Sequence, residues 1–141
     1  MNPKLELGDV QETALIPLAC RALETKRKHP RIIDPMAVQI MQELHPDVKK
    51  YDKTITHECV VARTILFDET VTALIQKYPN ALCINLGCGL DDRYSRVDNQ
   101  MIIWIDVDFP DMIRVRKKVY EDTNRRKMVS VSVLETDWVN K

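Results

Sequence analysis

Ala81-Leu82-Cys83-Ile84-Asn85-Leu86-Gly87-Cys88-Gly89-Leu90-Asp91-Asp92-Arg93-Tyr94-Ser95-Arg96 is followed, after a polar turn, by Met101-Ile102-Ile103-Trp104-Ile105-Asp106-Val107-Asp108. The run from Ala81 to Leu86 is apolar without alternation, the pattern of a parallel strand buried on both faces. Two glycines then stop it. Glycine has no Cβ, so a Gly-x-Gly turn lets the backbone approach a ligand at the carboxyl end of a strand, where open α/β sheets hold their sites. The second apolar run ends in Asp108, 21 positions after Gly87. That matches the spacing of roughly 20 residues at which an acid grips the hydroxyls of an adenosine ribose.

The residues just after the glycines decide the choice of nucleoside. A dinucleotide fingerprint carries a third glycine and keeps the next helix start clear for a pyrophosphate. Here Asp91 and Asp92 stand at that place. Two carboxylates repel a phosphate but suit a helix N-terminus and tolerate an ammonium. S-adenosylmethionine, an adenosine with an amino-acid tail and no phosphate, fits that description; an NAD-dependent oxidoreductase is disfavoured.

These residues, Asn85 to Arg93 and Trp104 to Pro110, resemble the class I S-adenosylmethionine-dependent methyltransferases of the leucine carboxyl methyltransferase and polyketide O-methyltransferase group. Arg21 to Arg27, Asp34-Pro35 and Ala62-Arg63 are similar to that group's N-terminal motifs, so the resemblance spans nearly the whole chain. It implies an α/β chain: an N-terminal helical region, 1–78, then the first half, 79–141, of a Rossmann-like sheet with strand order 3-2-1. It implies S-adenosylmethionine held by the Gly87-Cys88-Gly89 loop and Asp108. Arg21 and Arg63 would meet the carboxylate of the methionine tail, a bidentate pairing that lysine cannot reproduce. Relatives commonly carry Asp-Leu where this chain has Val133-Leu134, so either Asp137 takes over the adenine contact or Leu134 serves through its backbone. The acceptor would be a carboxyl group or a small-molecule hydroxyl. No residue is nominated as catalytic; Tyr94 and His57 titrate, but packing or surface roles suit both better.

With 141 residues and 45% hydrophobic content the chain can bury a core. Its 21 basic and 21 acidic residues leave no net field for nucleic acid or an anionic membrane. No apolar run reaches the roughly 20 residues of a membrane span. Cys20, Cys59, Cys83 and Cys88 form no paired motif, and Met1 to Lys4 starts no signal peptide, which points to a reducing cytoplasm. The three histidines have no metal-ligand spacing.

Along the chain, residues 1–10 are a polar lead, and Thr13 to Leu23 predicts a helix shortened or kinked by Pro17. Lys26 to Arg31 is a solvated basic connection or a flank of the cofactor mouth. Asp34 caps a helix that opens on Pro35 and presents Ala37, Ile40, Met41 and Leu44 until His45-Pro46. Thr56 to Tyr78 predicts a longer helix, broken or bent near Phe67-Asp68. Pro110 to Tyr120 predicts a helix with Met112, Val115 and Val119 inward and its basic residues toward water. Asn124 to Lys127 is a turn, and Met128 to Leu134 a third strand. The sequence then stops with one side of the first strand unpaired, placing Leu82, Ile84 and Leu86 at an open edge. It therefore resembles a cofactor-binding half that a missing C-terminal half or a second copy would complete. The alternative is a non-catalytic partner-binding domain that uses that edge, with a vestigial nucleotide site.

Overall fold

The computed structural model describes residues 12–44, 47, 51 and 53–132. Helix α1, Glu12–Thr25, runs unbroken through Pro17. The proline forfeits one hydrogen bond in the second turn, while Leu15, Leu18, Ala19 and Ala22 remain buried, so core packing outweighs the local loss. Helix α2, Pro35–Leu44, starts as the sequence predicts: Ala37 N–H donates to Asp34 Oδ1 at 3.0 Å, and Ala37, Ile40, Met41 and Leu44 are buried. Residues 45 and 46 lie outside the described set.

The basic connection is exposed but pinned. Arg31 donates to Glu24 through Nε and Nη2, each at 2.9 Å, and to Glu58 of the helix after α2. Helix α3, Thr54–Lys77, is continuous across Phe67-Asp68, which corrects the expected break. Its apolar residues lie on more than one face: Val60, Val61 and Ile75 are buried, whereas Leu66, Phe67 and Leu74 are exposed. The change of phase in the sequence marks a change of face.

Strands β1, Leu82–Leu86, β2, Ile103–Asp108, and β3, Arg126–Ser130, form a parallel sheet in the order β1-β2-β3, with Leu86 opposite Val107 and Val107 opposite Val129. The chain is thus α/β, with helix α4, Arg93–Val97, and helix α5, Pro110–Arg116, between the strands. β1 is not buried on both faces as expected. Leu82, Ile84 and Leu86 are 60%, 46% and 54% exposed, because no described element covers that face. Two further corrections concern arginines. α5 stops at Arg116, whose side chain is wholly buried instead of facing water; β3 begins at Arg126, which the turn assignment left outside the strand.

One core cluster joins Leu18 of α1 and Ile40 of α2 to Cys88, Leu90, Ile113 and Met128. The N-terminal helices and the strand-end loop therefore share a packed interior. Among the described residues no helix is long and apolar enough to cross a membrane.

Candidate cofactor site

β1 ends at Leu86, and the chain turns over the end of β2. Gly87 and Gly89 have φ of +64° and +49°, left-handed values that strain any residue with a Cβ. Gly87 and Cys88 N–H both donate to Val107 O, at 2.8 and 3.2 Å. Gly89 N–H donates to Asp108 Oδ2 at 2.8 Å, and Asp108 Oδ1 accepts from Phe109 N–H at 2.8 Å. The acid at the end of β2 is thereby tied to the tip of the loop. A Cβ built at either glycine would meet nothing within 4 Å, so the backbone angles, not crowding, require glycine, and the space above the loop is open. Cys88 instead plugs into the core, where burial pushes its thiol up to about 12 and makes it an anchor without nucleophilic character.

That open space is a cavity of about 800 Å³, within the range of roughly 300–1,000 Å³ of small-molecule sites. Arg21, Arg63, Gly87, Cys88, Gly89 and Asp108 all line it, six residues spread over α1, α3, the loop after β1 and the end of β2. Val133, Leu134 and Asp137 lie outside the described residues, as does the segment from Glu135 to Trp138. Neither His57, within 2.8 Å of Glu24 Oε2, nor Tyr94, against Trp104, lines the cavity. The stretch Lys26 to Arg31 is absent from its walls too.

The two arginines differ. Arg21 is buried, with Nε donating to Asp34 Oδ2 at 2.8 Å and Nη2 to Leu90 O at 3.1 Å, so much of its donor capacity is spent. Arg63 is exposed and has no hydrogen-bond or ion-pair partner among the described residues, which leaves its fork available to an anionic group.

The carboxylates after the loop are also committed. α4 has only five residues, and Asp91 and Asp92 sit ahead of it among arginines. Asp92 is the N-cap of α4, at the helix start where the sequence places it, and arginines surround both carboxylates besides. Asp91 is ringed by Arg21, Arg93 and Arg96, and Asp92 accepts from Arg126 Nη1 at 2.9 Å. Burial opposes the ionisation of Asp91, yet Arg21, Arg96 and Arg93 hold its pKa at about 2, below the ordinary 3.8. The unfolded chain then binds more protons between these values. Asp91 therefore contributes stability in full above about pH 4, on the order of 2 kcal/mol, and loses it as pH falls toward 2. Thermal melts should show Asp91→Asn to be less stable than the parent at pH 7 and to lose less between pH 7 and 2.5. A parallel decline would contradict this assignment.

Sequence reasoning missed the arginines beneath the loop. Arg116 Nη2 donates to Asp106 Oδ2 at 2.8 Å, and Arg126 Nε reaches the same oxygen at 3.1 Å. Helical spacing carried a signal for Arg116, which lies four residues after buried Met112 and three after buried Ile113.

A sequence profile of leucine carboxyl methyltransferases matches residues 14–141. The tetracenomycin polyketide synthesis O-methyltransferase TcmP of Streptomyces glaucescens is 32% identical over 143 residues, covering 99% of this chain and 53% of that protein. The chain thus spans about half the length of that relative. S-adenosylmethionine is the methyl donor of this family. With its loop, its acid and all but the first two residues of its described helices inside the matched region, the chain belongs to the leucine carboxyl methyltransferase family.

Proposed function

We propose that this chain is the cofactor-binding half of an S-adenosylmethionine-dependent O-methyltransferase, acting on a carboxyl group or a small-molecule hydroxyl. The observation that carries the reading is the 2.8 Å bond between Gly89 N–H and Asp108 Oδ2 at the wall of the cavity. It presents a carboxylate to a ribose beside a backbone with open space above it. When bound, the cofactor supplies a methyl group already activated by its sulfonium, so the protein's work is mostly to orient and to exclude water. Asp108 holds the sugar hydroxyls. Arg63 pairs with the carboxylate of the amino-acid tail, and Arg21, through Leu90 O and Asp91, stiffens the loop in front of it. Phe67, Val71, Ile84 and Met112 supply apolar wall.

Isothermal calorimetry tests this on the 141-residue chain with S-adenosylhomocysteine. Saturable binding is expected, and Arg63→Ala weakens it about tenfold, about 1.4 kcal/mol, while leaving adenosine alone unaffected. Equal affinities for S-adenosylhomocysteine in parent and variant would remove Arg63 from the site.

The exposed row Leu82, Ile84 and Leu86 favours a second component to this reading: further polypeptide completes the sheet and cleft beside β1. It is either further chain, as in the longer relative, or a second copy. Sedimentation separates them, since a monomer across micromolar concentrations excludes the second copy. If the chain forms a stable dimer and takes up no S-adenosylhomocysteine, the partner-binding alternative replaces the enzyme.

A further inference from the structure

Arg116 is the largest fully buried side chain among the described residues. Burying a guanidinium is costly unless its partners are well placed. Charge balance on Asp106 does not account for it, because Asp106 has three other donors: Arg126 Nε, Asn85 Nδ2 and Trp104 Nε1. The remaining bonds of Arg116 go elsewhere. Nη1 donates to Gly89 O at 2.7 Å and Nη2 to Asp91 O at 2.8 Å, while the guanidinium stacks on Tyr120 with 4.4 Å to the ring centroid. Between these two carbonyls, Leu90 O accepts from Arg21 Nη2 and, at 3.3 Å, from Tyr120 Oη–H. Three successive carbonyls of the loop thus face a layer of fixed donors.

Gly89 is tied on both sides, its N–H to Asp108 Oδ2 and its C=O to Arg116. Both of its backbone dihedrals are therefore determined, at a residue type with the widest freedom to drift. We propose that Arg116 is a positioning residue for the loop: by holding the Gly89 and Asp91 carbonyls it fixes the backbone of Gly89, and through the Gly89 N–H it sets the carboxylate of Asp108 toward the nucleoside. The link to ligand affinity rests on the cofactor reading above; the mechanical part does not.

The test is Arg116→Lys in the full 141-residue chain. Lysine keeps a positive charge beside Asp106 but presents a single ammonium that cannot reproduce the planar fork. In hydrogen exchange, the Gly89 amide should lose at least tenfold in protection while Val61 in α3 keeps its own. Unchanged protection at Gly89 in a folded variant overturns the proposal whether or not any ligand binds. Adenosine affinity should fall about tenfold, and a double-mutant cycle isolates the route. In an Asp108→Ala background Arg116→Lys should cost nothing further, whereas additive losses overturn the action through Asp108. If the parent binds neither S-adenosylhomocysteine nor adenosine, the cofactor reading fails and the exchange result alone decides the role of Arg116. Should the lysine variant not fold, the parent still answers: Arg116 Nη hydrogens that exchange as fast as those of exposed Arg114 overturn the proposal.

Discussion

Asp108→Ala is expected to weaken S-adenosylhomocysteine binding by on the order of 100-fold, the largest effect of any single substitution at the cavity. A carboxylate that accepts from two ribose hydroxyls makes two charge-assisted hydrogen bonds, each worth roughly 1.5–3 kcal/mol. Removing both therefore costs about 3 kcal/mol, or about 100-fold. The alanine variant also deprives Gly89 N–H and Phe109 N–H of their acceptor, which loosens the loop. Asp108→Asn keeps one carbonyl oxygen and should lose about tenfold, so the two variants separate the charge from the hydrogen bonds. Calorimetry on both, at one salt concentration, supplies the comparison. An alanine variant within twofold of the parent would mean that the acid does not meet the ligand.

The second large effect is on stability. Asp106 is fully buried and joins Arg116 to Arg126, with Oδ1 accepting from Asn85 and Trp104. Burial works against its ionisation, but Arg116, the Asn85 and Trp104 donors and Arg126 together hold its pKa below the ordinary carboxylate value. Asp106→Ala leaves two buried guanidinium groups without that counter-charge, a loss of roughly 3–5 kcal/mol. Urea denaturation at pH 7 should show a lower midpoint with an unchanged slope. A cost under about 1 kcal/mol would mean that water or other carboxylates already balance the arginines.

Legibility in the sequence divides along physical lines. Local signals held: the Asp34-Pro35 helix start, the Gly-x-Gly turn and the acid at the end of the second strand are set by short-range chemistry, and the structure has them at the expected places. Arg21, Arg63, Gly87, Cys88, Gly89 and Asp108 meet at one cavity because the family resemblance carried long-range information that no local pattern contains. Apolarity announces that a strand wants cover without saying whether cover is present, which is why a strand that reads as buried on both faces leaves Leu82, Ile84 and Leu86 exposed. α3 reads as broken or bent because its apolar residues serve different faces of one continuous element. Arg116 reads as solvent-facing and Arg126 as part of a polar turn because a basic residue is exposed by default, and only the carboxylates of Asp106 and Asp92 that converge on them reverse that default.

The central claim is that the loop from Gly87 to Gly89, with Asp108, forms the nucleoside site. An NMR titration of the 15N-labelled chain with S-adenosylhomocysteine tests it most directly. The largest amide shifts should fall on Gly87, Cys88, Gly89 and Asp108, with smaller ones along α3 around Arg63. No saturable shift at millimolar ligand, or shifts clustered instead at a separate cavity lined by Ile33, Ile65 and Glu69, would contradict it.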